Sequence, residues 1–334
     1  MKRDFLSVES WSDAEVDELL ALAARVKRGE VSGGLERRVA AMVFLDPSLR
    51  TRTSFEVAMH LHGGLTIPVE PGRGSWAMET EPDVVMDGAT VEHLIEAARV
   101  LGRYADVLGL RAFPRGDDWA VTRQDRALVD FARHCEKPVI NLESARRHPC
   151  QELADGLTLR EALPEPRGRR FVLSWSWHPK ALPTAVPASA ALAAARQGME
   201  VVIAHPPGFE LDPEDLATIE GLARRRGGSL RVSHTLEPAL EGADVVYVKS
   251  WGALSAFGRP EAEQALRAPC REWRGSAALL GRAPAAKVMH CLPVRRNVEL
   301  DAAVLDGPQS IVIEQAENRL HAQRALLLRL LGAA

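Results

Sequence analysis

A short polar motif directly after a strand-like apolar segment has the composition of an anion site. The segment runs from Val39 to Leu45, the motif reads Leu-Asp-Pro-Ser-Leu-Arg-Thr-Arg over residues 45–52, and a helix-like spacing of apolar residues follows to Leu61. Backbone N–H groups at a helix start, hydroxyl groups and two permanent cations would then converge on one point. The motif predicts a phosphate site, and the alternative is a solvated helix end.

Two further polar motifs follow apolar runs. His148-Pro-Cys-Gln151 comes after the run 138–142, and His290-Cys-Leu-Pro293 comes after the run 287–289. Each has a structural alternative, because His148 could bond only backbone at a helix start and Cys291 could be ordinary core. Their occurrence beside the strand-end arginines favours a role in function.

Together the three motifs carry a resemblance that covers essentially the whole chain. Ser-x-Arg-Thr-Arg, His-Pro-x-Gln and His-Cys-Leu-Pro, in this order, resemble the carbamoyltransferases. Ordinary ornithine carbamoyltransferases carry an Asp-x-x-x-Ser-Met-Gly loop, whereas the matching segment here reads Asp244-Val-Val-Tyr-Val-Lys-Ser-Trp-Gly252. With Lys and Trp in that loop, and with Trp76 and Glu317-Asn-Arg319, the chain is similar to the carbamoyltransferases of N-acylated ornithine.

The resemblance implies a carbamoyl phosphate site without metal, covalent nucleophile or organic cofactor. The residues expected to hold the phosphate are Ser48, Leu49 through its backbone, Arg50, Thr51 and Trp76 from a neighbouring subunit, completed by Arg319 and the Cys291–Leu292 backbone. Those expected to orient the carbamoyl group are Arg111, His148 and Gln151, with Thr51, Arg111 and His148 polarising its oxygen. The catalytic set is therefore expected to be Arg50, Thr51, Arg111, His148, Gln151 and Cys291. Cations and hydrogen-bond donors suit this chemistry, since an oxyanion develops and phosphate leaves.

For the acceptor, the resemblance places Glu143 and Lys249 against the amino acid end of acylornithine, with Lys249 neutralising the α-carboxylate. Leu292 and Cys291 would receive the δ-amine, and no general base is identified, so phosphate itself is a candidate to take the proton.

Two positions bear on the acyl group. Enzymes of the acetylornithine type carry a Glu from the adjacent subunit where this chain has Val91, and an uncharged residue there permits a succinyl carboxylate. Lys180, or alternatively Arg296, is expected to meet that carboxylate. Glu299 either replaces a carboxylated lysine of some acetylornithine enzymes or is only a surface residue.

Bulk properties narrow the class of protein. A chain of 334 residues predicts about two domains, and its net charge of 42 − 45 = −3 provides no field for nucleic acid or anionic membrane. The N-terminus has no apolar core of a signal peptide, and no apolar run is long enough for a membrane span. Four cysteines without C-x-x-C spacing, and scattered histidines, predict no metal site and a reduced, cytoplasmic location.

Consecutive apolar runs alternate with helical periodicity, which predicts α/β architecture with two doubly wound parallel sheets. The predicted strands are 39–45, 65–69, 106–110, 138–142, 171–174, 200–204, 230–233, 244–248 and 287–290. The predicted helices include 12–28 with a serine cap, 182–197 ended by Gly198, and a last helix over 317–331. By resemblance to the family, residues 1–147 and the closing segment 317–334 form a carbamoyl phosphate domain, and 148–316 form an acylornithine domain.

The resemblance therefore implies a homotrimeric enzyme with shared sites that carbamoylates the δ-amine of an N2-acyl-L-ornithine in arginine biosynthesis, succinyl favoured over acetyl. Ordinary ornithine carbamoyltransferase is disfavoured by Lys249-Ser-Trp251, and aspartate carbamoyltransferase by His290-Cys-Leu-Pro293. A non-catalytic relative that binds carbamoyl phosphate is disfavoured by the intact set of arginines with His148 and Gln151.

Overall fold

The computed structural model describes residues 2–333, which divide into two compact units. Unit 1 comprises residues 2–115, 122–150 and 319–333, and unit 2 comprises residues 116–121 and 151–318. Within the described residues no helix has both the length and the apolar character needed to cross a membrane.

Unit 1 is built on a parallel sheet of four strands in the order β2-β1-β5-β6. Its strands are β1 (Val39–Phe44), β2 (Leu65–Val69), the short parallel pair β3 (Met78–Glu79) and β4 (Glu92–His93), β5 (Val107–Arg111) and β6 (Val139–Glu143). The helices along this part of the chain are α1 (Asp13–Lys27), α2 (Leu49–His60), α3 (Leu94–Tyr104), α4 (Trp119–Thr122) at a unit boundary, and α5 (Arg126–His134).

Unit 2 contains a second parallel sheet, of five strands in the order β11-β10-β7-β8-β9. Its strands are β7 (Arg170–Trp175), β8 (Glu200–Ala204), β9 (Ser229–Ser233), β10 (Val245–Lys249) and β11 (Lys287–Met289). The helices from residue 149 onward are α6 (Pro149–Ala162), α7 (Ala185–Arg196), α8 (Pro213–Arg226), α9 (Leu236–Leu240), α10 (Pro260–Arg267), α11 (Ala277–Leu280), α12 (Ala302–Leu305) and α13 (Val312–Leu330).

The unbroken apolar runs are explained by burial on both faces of each sheet. In β7, Phe171, Leu173 and Trp175 belong to one apolar cluster, whereas Val172 belongs to another. Successive side chains of a strand point to opposite faces, so both faces of the unit 2 sheet are covered. In β1, Ala41 packs in a cluster with residues of β5 and α5, while Met42 on the opposite face is also buried.

The strand order brings the polar motifs to the carboxyl edges of the sheets. In unit 1, β1 lies between β2 and β5, and Phe44 pairs with Arg111. In unit 2, β7 lies between β8 and β10, and Trp175 pairs with Lys249. Open α/β sheets bind ligands outside the carboxyl ends of the strands where the strand order reverses.

The predicted architecture of two doubly wound α/β sheets is confirmed, and each predicted strand overlaps an observed one. The helix predicted over 182–197 begins only at Ala185, because a proline at 183 disfavours helical backbone at Leu182. The last helix begins at Val312 rather than Glu317, since β-branched Val312 and Ile313 conceal the helical pattern. The two-residue strands β3 and β4 are too short for periodicity to indicate.

Candidate active site

The predicted phosphate motif forms the start of α2, as expected. Ser48 caps the helix, its Oγ accepting a hydrogen bond from the Thr51 amide at 3.2 Å. Leu49 is 74 % exposed, whereas Thr51 is buried. The Thr51 Oγ1 accepts a hydrogen bond from Arg319 Nη2 at 2.9 Å. The helix start therefore presents N–H donors next to a buried guanidinium.

Arg52, the second arginine of the motif, does not join this group. Its guanidinium donates to Glu56 at 3.0 Å and to Glu70 at 2.6 Å. Residues two positions apart on a helix face different directions, so Arg50 and Arg52 cannot serve one small anion from the same helix. The expectation that both cations converge is wrong for Arg52.

Arg111 and Glu143 form a buried ion pair at the carboxyl edge of the unit 1 sheet. Nη1 of Arg111 donates to Oε2 of Glu143, and the guanidinium lies 4.4 Å from the ring centroid of Phe113. Glu143 has a φ of 140°, a conformation that costs a non-glycine residue free energy. The same Oε2 lies 3.6 Å from Nε2 of His148. Strain at a strand end beside buried charges is typical of a functional site.

The electrostatics around His148 favour a neutral ring and a bound anion. Burial lowers the pKa of His148 well below its ordinary value, and the charges of Arg319, Arg111 and Arg50 lower it further. Burial also lowers the pKa of Arg319. The adjacent thiol of Cys150 has its pKa raised to about 12 by burial, which the charge of Arg319 only partly offsets. Three guanidinium groups around a neutral imidazole create a positive field that an oxyanion would relieve.

Trp76 and Val91 lie on the surface of the chain, 70 % and 62 % exposed. Both belong to residues 70–93, where the regular structure is the short β3–β4 ladder. Exposure of a large indole and a valine in one segment leaves both side chains available to a partner.

In unit 2, Gln151 belongs to a buried hydrogen-bond network with Asp155 and Gln315. Its Nε2 donates to Oδ1 of Asp155 at 2.8 Å, and Nε2 of Gln315 donates to the same oxygen at 2.7 Å. Oε1 of Gln315 in turn accepts from the His290 amide at 2.9 Å. This hydrogen-bond network holds the backbone at His290, directly before Cys291 and Leu292. Leu292 has a left-handed φ of 55°.

The predicted acceptor residue Lys249 lies at the carboxyl end of β10, only 7 % exposed. Burial would raise the pKa of Glu299, but its interaction with His290, whose Nε2 lies 3.7 Å from Oε1, the charge of Lys249 and the Arg295 amide together hold it at about 2. Glu299 is therefore ionised and 2 % exposed, so the alternative that it is a surface residue is wrong. The Lys249 ammonium and the buried Glu299 carboxylate therefore interact near the point where the strand order of the unit 2 sheet reverses.

The two candidate cations for a succinyl carboxylate differ in availability. The side chain of Lys180 is exposed. Nε2 of His178 accepts a hydrogen bond from Arg295, so Nδ1 of the same ring carries the proton and donates it to the Lys180 carbonyl at 2.8 Å. Arg296 is already bound by both oxygens of Asp306, with Nη1 at 2.7 Å from Oδ2. Lys180 is the better candidate of the two, since its backbone is held and its side chain is accessible.

Two models of known protein families match the chain. The family model described as aspartate/ornithine carbamoyltransferase, carbamoyl-P binding domain, matches residues 3–161, and the model described as the Asp/Orn binding domain matches residues 183–330. The chain belongs to the aspartate/ornithine carbamoyltransferase family.

Members of the carbamoyltransferase family with acylated acceptors are among its relatives. N-acetylornithine carbamoyltransferase from Xanthomonas campestris pv. campestris is 44 % identical over 99 % of this chain and 98 % of its own length. N-succinylornithine carbamoyltransferase from Bacteroides fragilis is 37 % identical over 87 % and 86 %. A solved structure of N-acetyl-L-ornithine transcarbamylase with a glutamate replaced by valine, complexed with carbamyl phosphate and N-succinyl-L-norvaline, has a TM-score of 0.95 and 45 % identity, covering 98 % of this chain and 99 % of that one.

The sequence reasoning missed a buried ion pair beside the loop after β10, formed by Glu263 and Arg267 on α10. Nη2 of Arg267 donates to the Trp251 carbonyl at 3.1 Å, and Nη1 donates to Ser250 Oγ at 3.3 Å. Arg267 therefore holds the loop that follows Lys249. The pair has the i, i+4 spacing of ordinary surface pairs, so its sequence gives no signal of burial.

Replacing Glu263 with alanine should lower the free energy of unfolding by about 3–5 kcal/mol, because Arg267 would keep its charge inside the protein without a carboxylate. Urea denaturation followed by circular dichroism measures this. The matched control is Glu261→Ala on the exposed face of the same helix, which should change stability by no more than about 0.5 kcal/mol. Equal stability of Glu263→Ala and Glu261→Ala would contradict the role assigned to the pair.

Proposed function

We propose that the protein transfers the carbamoyl group of carbamoyl phosphate to the δ-amine of an N2-acyl-L-ornithine, with N2-succinylornithine preferred to N2-acetylornithine. The products are the N-acylcitrulline and phosphate, and the reaction would serve arginine biosynthesis. The observation that carries the proposal is the buried Lys249 at the end of β10, in the loop where ordinary ornithine carbamoyltransferases have Ser-Met-Gly.

Each substrate is assigned to one part of the chain. Residues 1–147 with 317–334 bind carbamoyl phosphate, and residues 148–316 bind the acylornithine. Support for the first assignment comes from the start of α2, where N–H groups, Arg50 and Arg319 provide donors and positive charge for a phosphate. With Glu143 paired to Arg111, the three guanidinium groups and this carboxylate leave two net positive charges, which a phosphate dianion would balance.

In the proposed reaction the neutral δ-amine attacks the carbamoyl carbon and a C–N bond forms. The carbonyl oxygen becomes an oxyanion, the C–O bond to phosphate then breaks, and the amine proton passes to the departing phosphate. Arg111, Thr51 and His148 polarise the carbonyl oxygen. Because burial and the arginines keep His148 neutral, its ring acts as a hydrogen-bond donor rather than as a further cation.

Lys249 supplies the preference for an acylated acceptor. Its ammonium attracts the α-carboxylate, and Leu292 and Cys291 receive the δ-amine. Free ornithine brings an α-ammonium close to Lys249, whereas acylation removes that positive charge. At an effective dielectric near 20, two like charges 4 Å apart repel by about 4 kcal/mol, which is enough to select the acyl form.

For the acyl group, Val91 favours succinyl over acetyl because it adds no negative charge. The relative that was solved with N-succinyl-L-norvaline has valine in place of a glutamate, and Val91 stands where the resemblance places the glutamate of the acetylornithine type. Lys180 would then pair with the succinyl carboxylate.

A side-by-side assay tests the proposed function. The purified protein is supplied with carbamoyl phosphate and either N2-succinylornithine, N2-acetylornithine or ornithine, and each citrulline-type product is quantified by mass spectrometry. The expected order of kcat/KM is succinyl, acetyl and then, far lower, ornithine. Efficient turnover of free ornithine would overturn the acyl assignment, and binding of carbamoyl phosphate without turnover of any acceptor would indicate a non-catalytic relative.

Shared sites in a homotrimer lead to a subunit-mixing prediction. If the Trp76 side chain contributes to the active site of a neighbouring subunit, a mixture of inactive Arg50→Ala and Trp76→Ala proteins should regain activity after subunit exchange. With equal random mixing, about one site in four combines an intact pocket with an intact indole. Activity before and after exchange is compared, with sedimentation establishing the trimer.

The control for this mixture is Arg50→Ala with the double variant Arg111→Ala, Glu143→Gln, which leaves no buried carboxylate without its partner. Both variants damage the pocket of their own subunit, so mixing cannot restore a site that draws these residues from one chain. Restored activity in the control as well as in the test mixture, or in neither, would argue against a contribution of Trp76 to the neighbouring active site.

A further inference from the structure

Two histidines in unit 2 lie side by side at the carboxyl edge of the sheet, outside the proposed substrate residues. His205 follows β8 and His234 follows β9, and the register of these neighbouring strands pairs Ala204 with Ser233. The His205 amide donates to the Ser233 carbonyl at 3.0 Å, and the two ring centroids are 4.9 Å apart in an edge-to-face arrangement. Strand register therefore brings the two rings next to each other.

A carboxylate completes the group. Glu210 lies in the loop between β8 and α8, and one nitrogen of each imidazole and one oxygen of Glu210 all lie within 4.8 Å of one another. The other role of Glu210 is local, because its Oε1 accepts from the Gly208 amide at 3.0 Å. Gly208 has a φ of 92°, a left-handed turn that returns Glu210 towards His205.

The tautomers of both rings are fixed by backbone carbonyls. Nδ1 of His205 is 2.9 Å from the Pro206 carbonyl, and Nδ1 of His234 is 3.2 Å from the His205 carbonyl. A carbonyl oxygen only accepts, so each Nδ1 carries the proton and each Nε2 keeps its lone pair. Metal-ligating histidines are commonly held in this way, with the non-ligating N–H donated to a carbonyl.

We propose that His205, Glu210 and His234 bind one divalent transition-metal ion, with Zn²⁺ as the matching ion and water as its fourth ligand. Two imidazoles and one carboxylate suit zinc rather than Mg²⁺ or Ca²⁺, which prefer oxygen ligands. Bonds of about 2.0–2.1 Å require the donor atoms to approach one another by about 1.5 Å from their present limit. The exposed side chains of Glu210 and His234 can make this movement, whereas His205 is buried and serves as the fixed ligand.

The bound ion would join the loop after β9, the edge strand of the sheet, to the loop after β8. Its effect on stability follows from mass action, since the ion binds the folded arrangement, and His234 is distant in sequence from the other two ligands. The site is separate from the proposed transfer reaction and does not depend on it.

Calorimetric titration of the metal-free, untagged protein with ZnCl₂ is the test. We expect one site per chain that His234→Ala and Glu210→Gln each weaken at least about 100-fold, because even losses in the shell around metal ligands cost 10–100-fold. Co²⁺ in place of zinc should give the visible absorption of a tetrahedral site, absent in His234→Ala. The matched control, His60→Ala on the exposed end of α2, should bind zinc like the parent protein.

Thermal unfolding gives a second readout that does not depend on activity. Zinc at about 100 times its dissociation constant should raise the Tm of the parent protein and of His60→Ala by about 5 °C or more, and that of His234→Ala by much less. Circular dichroism without metal verifies that each variant is folded. The proposal is overturned if the parent protein takes up no stoichiometric zinc, or if folded His234→Ala and Glu210→Gln both bind it as tightly as the parent.

Discussion

Arg50→Ala is expected to reduce kcat/KM for the acylornithine reaction by at least about two decades, which corresponds to a loss of about 3 kcal/mol of transition-state stabilisation. Arg50 lies in the first turn of α2, and its charge reaches His148. The departing phosphate gains negative charge as the C–O bond breaks, so removal of this cation raises the barrier. Steady-state kinetics with both substrates varied measures the loss.

Arg52→Ala is the matched comparison, since it removes the same side chain two residues further along the helix. Its guanidinium is bound to Glu56 and Glu70, so it should lose far less activity than Arg50→Ala. Similar losses in the two variants would show that Arg50 has no special role towards the phosphate.

A parallel test at Arg111 needs a second substitution. Arg111→Ala alone leaves Glu143 as a buried carboxylate without its partner, and a loss of stability would then obscure the loss of chemistry. Arg111→Ala combined with Glu143→Gln removes both charges, so that the loss of activity can be measured by steady-state kinetics on a folded protein. A folded double variant with nearly unchanged turnover would exclude Arg111 from the reaction.

Val91→Glu should reverse the proposed preference for succinylornithine over acetylornithine. A new carboxylate beside the succinyl carboxylate repels it by up to about 4 kcal/mol before screening, a ceiling near three decades in kcat/KM. Val91 is 62 % exposed in the chain, so solvent and salt should reduce this to about one or two decades. Acetylornithine has no charge at that end and should lose little. The kcat/KM of both substrates is measured in parent and variant.

The control for this prediction is Val91→Gln, which has nearly the size of glutamate without the charge. It should leave the ratio of succinyl to acetyl turnover close to that of the parent protein. If Val91→Gln changes the ratio as much as Val91→Glu does, bulk rather than charge is responsible. An unchanged ratio in both variants means that Val91 does not select the acyl group.

Much of the fold could be predicted because parallel strands buried on both faces leave unbroken apolar runs. The runs 65–69 and 200–204 coincide with β2 and β8. The strands β5, β6 and β10 each extend one residue beyond the prediction, to Arg111, Glu143 and Lys249. These last residues are polar, and a polar side chain at a strand end resembles the start of a loop when only hydrophobicity is considered.

Side-chain partners could not be predicted in the same way. The sequence does not indicate that Arg52 is bound by Glu70, that Arg111 meets Glu143, or that Arg267 lies inside the protein. The first two contacts join charges far apart in the chain, and the burial of Arg267 depends on which faces of helices and strands meet. The pair of His205 and His234 is of the same kind, since strand register rather than sequence spacing brings the rings together.

The position of Arg319 on α13 has a consequence for synthesis on the ribosome. Unit 1 takes its residues from two distant parts of the chain, and Thr51 bonds Arg319 while His62 accepts from Nε of Arg324 at 3.0 Å. A nascent chain that has emerged as far as residue 150 already carries Arg50, Thr51 and Arg111 but lacks the helix that brings the third guanidinium. Residues 151–318 of unit 2 are all synthesised before Arg319. The proposed anion pocket is therefore completed late in translation, and a chain whose synthesis ends before residue 319 cannot hold phosphate in the proposed manner.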